Sequence, residues 1–158
     1  MLYYKPLTSM DFIDEWSSNL RLQDQIEIGA LNQNKKYIKN ALAKVLQKSD
    51  NNYVLYKDES VLSILGVRDI DSKVGMPWLL SAEIPKSVNY QFLKITKKIV
   101  EEFQEKYNIL YNYTLYNNTV SYKWLKYLGF QIKYDDVIEK CDGRRLVRFE
   151  WRREWEKY

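Results

Sequence analysis

"VGMPWLLSAEIPKS", residues 74–87, is where the chain changes architecture. Its first half is a strand-forming run that contains Pro77 beside Trp78, and its second half is a loop without glycine. Upstream, "YVLY" and "VLSILGV" are short β-rich runs joined at Lys57-Asp58-Glu59-Ser60, a pattern that predicts a hairpin. After a "DIDSK" turn, "VGMPWLLSA" adds the third strand of a meander. Downstream, from about Lys86 to Lys106, Phe92, Ile95, Ile99 and Phe103 line one face of a helix and lysines and glutamates the other. "ILYNYTLY" then reads as a buried strand, "NNTVSYKWLKYLGF" as a helix closed by Gly129, and "FQIKY" and "LVRFEWR" as two last strands. A meander followed by β-α-β makes the fourth and fifth strands parallel neighbours under the crossover rule.

The N-terminal part completes the pattern. "LYYKPLT" predicts a first strand ending near Pro6, and Ser9 before Met10, Asp11, Phe12 and Ile13 predicts a helix start. Phe12, Ile13 and Trp16 recur at helical spacing there. A second helical region runs roughly from Leu22 to Lys48, divided at Gly29, with Tyr37, Ile38, Ala41, Leu42, Val45 and Leu46 as an apolar face. The order is β-α-α-β-β-β-α-β-α-β-β, with no repeat and no linker. It predicts one α/β (α+β) domain over residues 1–158, a mixed central sheet with flanking helices.

Composition narrows the chemistry. With 46% apolar residues and no low-complexity stretch, the 158-residue chain is expected to fold into a globule. No apolar run reaches the roughly 20 residues of a membrane span. "MLYYKPLTSMDF" lacks the pattern of a signal peptide, and Cys141 is the lone cysteine, which agrees with a reducing cytoplasmic location. There is no histidine, so the commonest general base, the commonest zinc ligand and every Ser/His or Cys/His pair are excluded. No metal is expected.

Net charge is only +4, but "GRRLVRFEWRREWEKY" gathers Arg144, Arg145, Arg148, Arg152 and Arg153 around Trp151 and Trp155. That composition suits a nucleic-acid surface. The interleaved Glu150, Glu154 and Glu156 favour instead an edge strand that uses charge against aggregation. Of the 14 tyrosines, Tyr3, Tyr53, Tyr56, Tyr111 and Tyr113 alternate on strands and are expected to be half-buried.

Proline inside a sheet is tolerated at bulges or edges, because it has no N–H for the ladder. Two alternatives stand for Pro77: a bulge at Met76-Pro77 that bends the fourth strand from the fifth, or a core strand with a proline at an irregular spot. Asn112 sits mid-strand, where an amide side chain wants a bonding reason, and points opposite to Tyr111 and Tyr113. Asn118 suits the cap of the last long helix.

The spacing from Asn118 and Ser121 through Leu125 to Gly129-Phe130, after a strand, resembles the fourth-helix motif of the GNAT N-acetyltransferase superfamily, and the element order matches that superfamily. "PWLLSAE", "ILYNYTLYNNTVSYKWLKYLGF" and "RRLVRFEWRRE" look more closely like GNAT-like proteins of tailed bacteriophages, including those encoded with internal virion proteins of short-tailed phages. The resemblance covers about residues 1–153, with specific matches only from Gly75 onward. It implies a splay between the fourth and fifth strands that admits the pantetheine arm of acetyl-CoA. On that basis Trp78, Leu79 and Leu80 would orient the thioester, a backbone N–H among them polarising its carbonyl, and Asn112, Asn118 and Ser121 would line the arm. Ser81 and Ser87 would offer hydroxyls to the cofactor, and Lys86 a charge.

Two departures qualify what the resemblance implies. The usual glycine-rich pyrophosphate loop is replaced by "SAEIPKSVNY", in which Glu83 would repel a pyrophosphate if it faced inward. The usual tyrosine acid, four residues before the motif's glycine, is Leu125 here, and Tyr122, one turn earlier on the same face, is the substitute. Asp69, Asp71 and Glu83 are candidate bases, none singled out. Two functions are therefore weighed. One is acetyl transfer from acetyl-CoA to an amine acceptor, either a small molecule or a protein. The other is a GNAT-fold phage protein without the chemistry, acting in virion assembly or as a binding module and found in the host cytoplasm or with the virion.

Overall fold

The computed structural model describes residues 1–29 and 34–157. Seven strands are labelled in chain order: β1 (Leu2–Pro6), β2 (Asn51–Lys57), β3 (Ser60–Asp71), β4 (Val74–Ser81), β5 (Ile109–Leu115), β6 (Gln131–Glu139) and β7 (Arg145–Arg152). The helices are α1 (Ile13–Trp16), α2 (Leu22–Glu27), α3 (Lys35–Gln47), α4 (Asn89–Lys106) and α5 (Thr119–Tyr127). The strands form one mixed sheet in the order β1-β2-β3-β4-β5-β7-β6. As the crossover rule predicts, β4 and β5 are parallel neighbours.

The chain divides into two compact units: Met1–Arg68 with Trp78–Ile95, and Asp69–Pro77 with Thr96–Tyr158. The first is organised by a buried cluster of Ile13, Trp16, Leu20, Ile38, Leu42, Leu46, Val54, Ile64 and Leu80. Helix α3 presents Ile38, Leu42 and Leu46 to this core, at the four-residue spacing that stacks side chains on one face. Trp16 buries its ring there and donates its indole N–H to the Leu62 carbonyl at 3.1 Å, so its one polar atom is satisfied. On β1 and β2, Tyr3 and Tyr56 are register partners and stack at 5.2 Å. The second unit closes α4 and α5 over β5 and β7. Phe130 meets Phe149 edge-on at 5.1 Å, and Trp124 Nε1 donates to Thr96 Oγ1 at 3.2 Å.

Several boundaries differ from the sequence expectation. The first helix begins at Ile13, because Ser9 accepts the Asp11 N–H in a local turn and does not cap. The Leu22–Lys48 region is two helices, α2 and α3, with Gly29 at φ +71° after the first; the expected continuation through residues 30–33 lies outside the described residues. Asn34 caps α3 by accepting from the Tyr37 N–H at 2.8 Å. Tyr37, expected on the apolar face, is exposed. Strand β6 runs on past residue 134 to Glu139, with a register break between Lys133 and Val137.

The most consequential correction concerns the arginine-rich end. β7 lies between β5 and β6 and is not an edge strand. Its Glu150 is buried among Lys133 (3.5 Å), Arg148 (3.5 Å) and Arg152 (3.0 Å). Arg153 is bonded to the Gln104, Glu105 and Tyr107 carbonyls and to Asn108 Oδ1, closing the C-terminal end of α4.

Gly66 tests the closeness of β2 and β3. A methyl group added there would lie 2.4 Å from Asn52 Oδ1, 2.6 Å from the Asn51 carbonyl and 2.7 Å from Ser49 Oγ. The Asn51 carbonyl is β2 backbone, which cannot give way without opening the β2–β3 pair. Gly66→Ala is expected to cost on the order of 1–3 kcal/mol by overpacking, read from the urea midpoint; an unchanged midpoint would contradict the close approach.

Candidate functional site

The site is built from β4 outward. A strand points alternate backbone groups to opposite edges. The Ala82 N–H bonds the Leu62 carbonyl on β3, so the even positions of this segment serve β3. The Lys73 carbonyl accepts from Asn108 and Ile109 at the start of β5, so the odd positions face the other edge. Pro77 is an odd position. Its missing N–H therefore costs the β3 ladder nothing.

The ladder between β4 and β5 consists of two pairs, Val74 with Ile109 and Gly75 with Leu110. β4 itself runs through Pro77 to Ser81 as one strand. Asn112 supplies the last link. Its Nδ2 donates to the Pro77 carbonyl at 2.8 Å, and its Oδ1 accepts the Tyr113 N–H at 2.7 Å. The amide of one side chain thus satisfies a carbonyl on β4 and a donor on β5 where ladder bonds stop. That is the bonding reason a mid-strand asparagine wanted, and it uses both ends of the amide.

At its far end, β4 is held by the segment before α2. The Arg21 N–H bonds the Ser81 carbonyl at 2.8 Å, and Asp24 Oδ2 accepts the Ser81 N–H at 2.8 Å. Leu20 and Ala82 form an antiparallel bridge. Arg21 grips the Asp24 carboxylate with Nε at 2.9 Å and a terminal nitrogen at 3.2 Å. Burial pushes the Asp24 carboxyl above its ordinary range, against the lowering effect of Arg21, and nearby Glu83 adds to the rise. Between the two anchored residues, Pro77 and Ser81, Leu79 is the odd position, and strand alternation places its backbone groups on the same edge as theirs.

The other expected site residues fall as follows. Trp78 packs its ring on the first unit's core and donates its indole N–H to Ser49 Oγ at 2.8 Å. Leu80 is buried in that core. The Ser81 hydroxyl is fully buried and exchanges bonds with Ser63 Oγ and the Ala82 carbonyl, both at 2.6 Å, so it belongs to the fold. Ser87 does not open α4: it is exposed inside a single 3-10 turn, Lys86–Val88, that precedes the helix. Lys86 and Glu83 are exposed on the same glycine-free connection.

In the second unit, Asn118 caps α5 by accepting the Ser121 N–H at 3.3 Å. Helix α5 ends in a Schellman arrangement, the Phe130 N–H on the Leu125 carbonyl and the Gly129 N–H on the Lys126 carbonyl, with Gly129 at φ +99°. Leu125 is buried. The Tyr122 hydroxyl donates to the Tyr116 carbonyl, and its ring meets Tyr134 edge-on at 6.0 Å. Burial raises its pKa, and the neighbouring Tyr134 and Tyr116 add to the rise. Of the expected bases, Asp69 accepts from the buried Tyr107 hydroxyl and lies 3.6 Å from Lys106. Asp71 accepts the Lys73 and Val74 N–H groups of the turn before β4. The sequence argument passed over Asp24, whose only signal was its place in the first turn of a helix, and Asp136, which accepts from the Tyr113 hydroxyl at 3.1 Å.

Asn112→Ala removes both bonds of the amide and leaves a half-buried carbonyl and N–H unpaired, for an expected loss of about 1–3 kcal/mol per group left without a partner. Chemical denaturation measures it, and a neutral substitution would show that solvent replaces the link. For Asp24 the folded state binds the proton more tightly than the unfolded state. The stability this contributes is complete below the ordinary value of 3.8 and is lost as pH rises through the raised folded value. Wild type should therefore gain stability over Asp24→Asn as pH is lowered into that window. A constant difference between their urea midpoints at every pH would contradict the raised value.

No family model and no curated protein matches the chain. Solved structures do. An aminoglycoside acetyltransferase in complex with coenzyme A aligns at a TM-score of 0.70 and 12% identity, covering 99% of this chain and 98% of that one. The ribosomal-protein-S18-alanine N-acetyltransferase of Escherichia coli aligns at 0.65 and 12% identity, covering 96% and 94%. A GNAT family acetyltransferase from Elizabethkingia anophelis with acetyl-CoA bound aligns at 0.62 and 11% identity, covering 96% and 97%. With its parallel β4–β5 pair inside a seven-stranded mixed sheet, the chain has the GNAT acetyltransferase fold.

Proposed function

We propose that the chain binds acetyl-CoA along the free edge of β4 and transfers the acetyl group directly to an amine. The observation that carries this is the β4 edge turned away from β3, where Pro77 and Ser81 are bonded by a side chain and a loop and Leu79 lies between them on the same edge. An extended amide-bearing arm fits such an edge, because Leu79 supplies one N–H and one C=O in strand geometry. Two of the similar structures hold coenzyme A or acetyl-CoA, which supports the same ligand here.

Bound acetyl-CoA supplies an activated thioester. The Leu79 N–H donates to the carbonyl oxygen as negative charge develops there, an oxyanion-hole contribution of a preorganised backbone group. In the transfer the amine nitrogen bonds the carbonyl carbon and the carbon–sulfur bond breaks. The amine gives up one proton to water and the sulfur takes one from it. Asp24 and Arg21 hold the end of β4 so that this edge stays straight. At the phosphate end, Lys86 offers an exposed ammonium and Ser87 an exposed hydroxyl, while Glu83 opposes them.

A second function has its own support. The Tyr122 hydroxyl is committed to the Tyr116 carbonyl, and Leu125 occupies the position where a GNAT enzyme commonly keeps its tyrosine acid. A GNAT-fold binding module, associated with phage assembly as the sequence resemblance implies, needs neither group.

Thermal melting with acetyl-CoA separates these. At 100 times its dissociation constant, a ligand specific for the native state adds about 2.7 kcal/mol, which for a domain of this size is a rise of several degrees. Glu83→Gln should tighten binding severalfold. An unchanged melting temperature at millimolar acetyl-CoA would overturn cofactor binding; a rise without turnover on an amine panel would favour the binding module.

A further inference from the structure

The break in β6 has a specific effect. Register passes from Lys133 opposite Arg148 directly to Val137 opposite Val147, so Tyr134, Asp135 and Asp136 have no partner on β7. Such an insertion forfeits ladder bonds and re-aims side chains. Here it carries Asp136 across β7 to β5, where the Tyr113 hydroxyl donates to Asp136 Oδ1 at 3.1 Å. Arg148 is the register partner of Tyr113 on β7, so the two side chains stand on one face of the sheet. The phenol thus meets a carboxylate at its hydroxyl and has an arginine as its cross-strand neighbour, all three residues half-buried.

Each charged group has capacity to spare. Asp136 Oδ2 has no partner among the described residues. The Arg148 guanidinium lies over the Tyr111 ring at 4.0 Å and touches Glu150 only through one terminal nitrogen at 3.5 Å. Lys133, Arg148 and Arg152 converge on the Glu150 carboxylate, and Arg152 also reaches Glu154 at 4.0 Å, so the cluster carries both signs of charge. A simple amine leaves Arg148 unused, and a lone anion leaves Asp136 unused.

We propose that Tyr113, Asp136 and Arg148 form a binding site for a small zwitterion of the α-amino acid type, with its ammonium on Asp136 and its carboxylate on Arg148. Because Asp136 holds the Tyr113 hydroxyl and Arg148 stands opposite Tyr113 on the next strand, a ligand that uses both must carry its two charges close together, as they are across a single Cα. The planar guanidinium suits a carboxylate, with which it forms paired hydrogen bonds. This binding goes beyond the acetyl-CoA proposal; that the bound amino acid is also the acyl acceptor rests on that proposal.

The test is a backbone-amide NMR titration of the full chain with glycine, L-leucine, L-phenylalanine and L-glutamate, with spermidine and acetate as singly signed controls. At least one amino acid should give saturable shifts centred on Tyr113, Asp136 and Arg148 at millimolar concentration. Asp136→Asn, which can still accept from Tyr113, should weaken that binding at least about tenfold. Tyr113→Phe serves as a second variant should the first lose its fold. Absence of shifts with every amino acid, equal shifts with spermidine or acetate, or undiminished binding to Asp136→Asn would each overturn the site. Melting with acetyl-CoA on the same sample keeps the two proposals apart. Amino-acid binding without an acetyl-CoA effect retains this site and removes acyl transfer, and the converse pattern removes this site alone.

Discussion

The Pro77 carbonyl held by the Asn112 amide is the contact on which the arrangement around β4 depends. Backbone groups in a sheet must be paired, and a strand that parts from its neighbour leaves two rows of them exposed. Here the mismatch is closed with little loss. Proline removes the donor that would have been orphaned on β4, and one asparagine satisfies the remaining carbonyl and the next N–H on β5. At the other end, Asp24 and Arg21 supply the complementary acceptor and donor for Ser81. Between these two anchors lies one further position on the same edge, Leu79.

That economy makes the chemistry of the site unusually dependent on backbone. The side chains of Trp78, Leu80 and Ser81 are turned to the packing of the first unit. Asn118 and Ser121 are joined as a helix cap, and the Tyr122 hydroxyl is held by a carbonyl. Residues with a polar group to offer a ligand are found elsewhere, at Lys86 and Ser87 on the connection to α4, at Asp136 on β6 and at Arg148 on β7.

Much of the fold was legible in the sequence because its signals are local and periodic. The two-residue hairpin at Asp58-Glu59, the four-residue spacing on α3 and the Gly129 stop of α5 each follow from short-range chemistry, and the parallel β4–β5 pair follows from connectivity. The failures have a common cause in long-range bonding. Ser9 looked like a cap but found a closer backbone donor, and the charge-rich β7 looked like an edge because sequence does not show that β6 would lie outside it. Ser81 offered a hydroxyl that Ser63, 18 residues away, had already claimed. Asp136 was invisible for the same reason: its partner is on a strand that is not even adjacent to its own.

The interior position of β7 also sets an order of events during synthesis. β5 and β6 are made first but are not neighbours, and each pairs with β7 along most of its length. Arg153, just after that strand, closes the end of α4 by gripping carbonyls nearly 50 residues earlier. Until this stretch leaves the ribosome, β5 has one side open, β6 has no ladder and α4 has an unsealed end. The second unit therefore cannot consolidate piecemeal as it emerges, whereas the β1–β2–β3 part of the first is complete by residue 71. A nascent chain stalled before β7 should expose two unpaired strand edges, the condition under which chaperone capture and misassembly compete with folding.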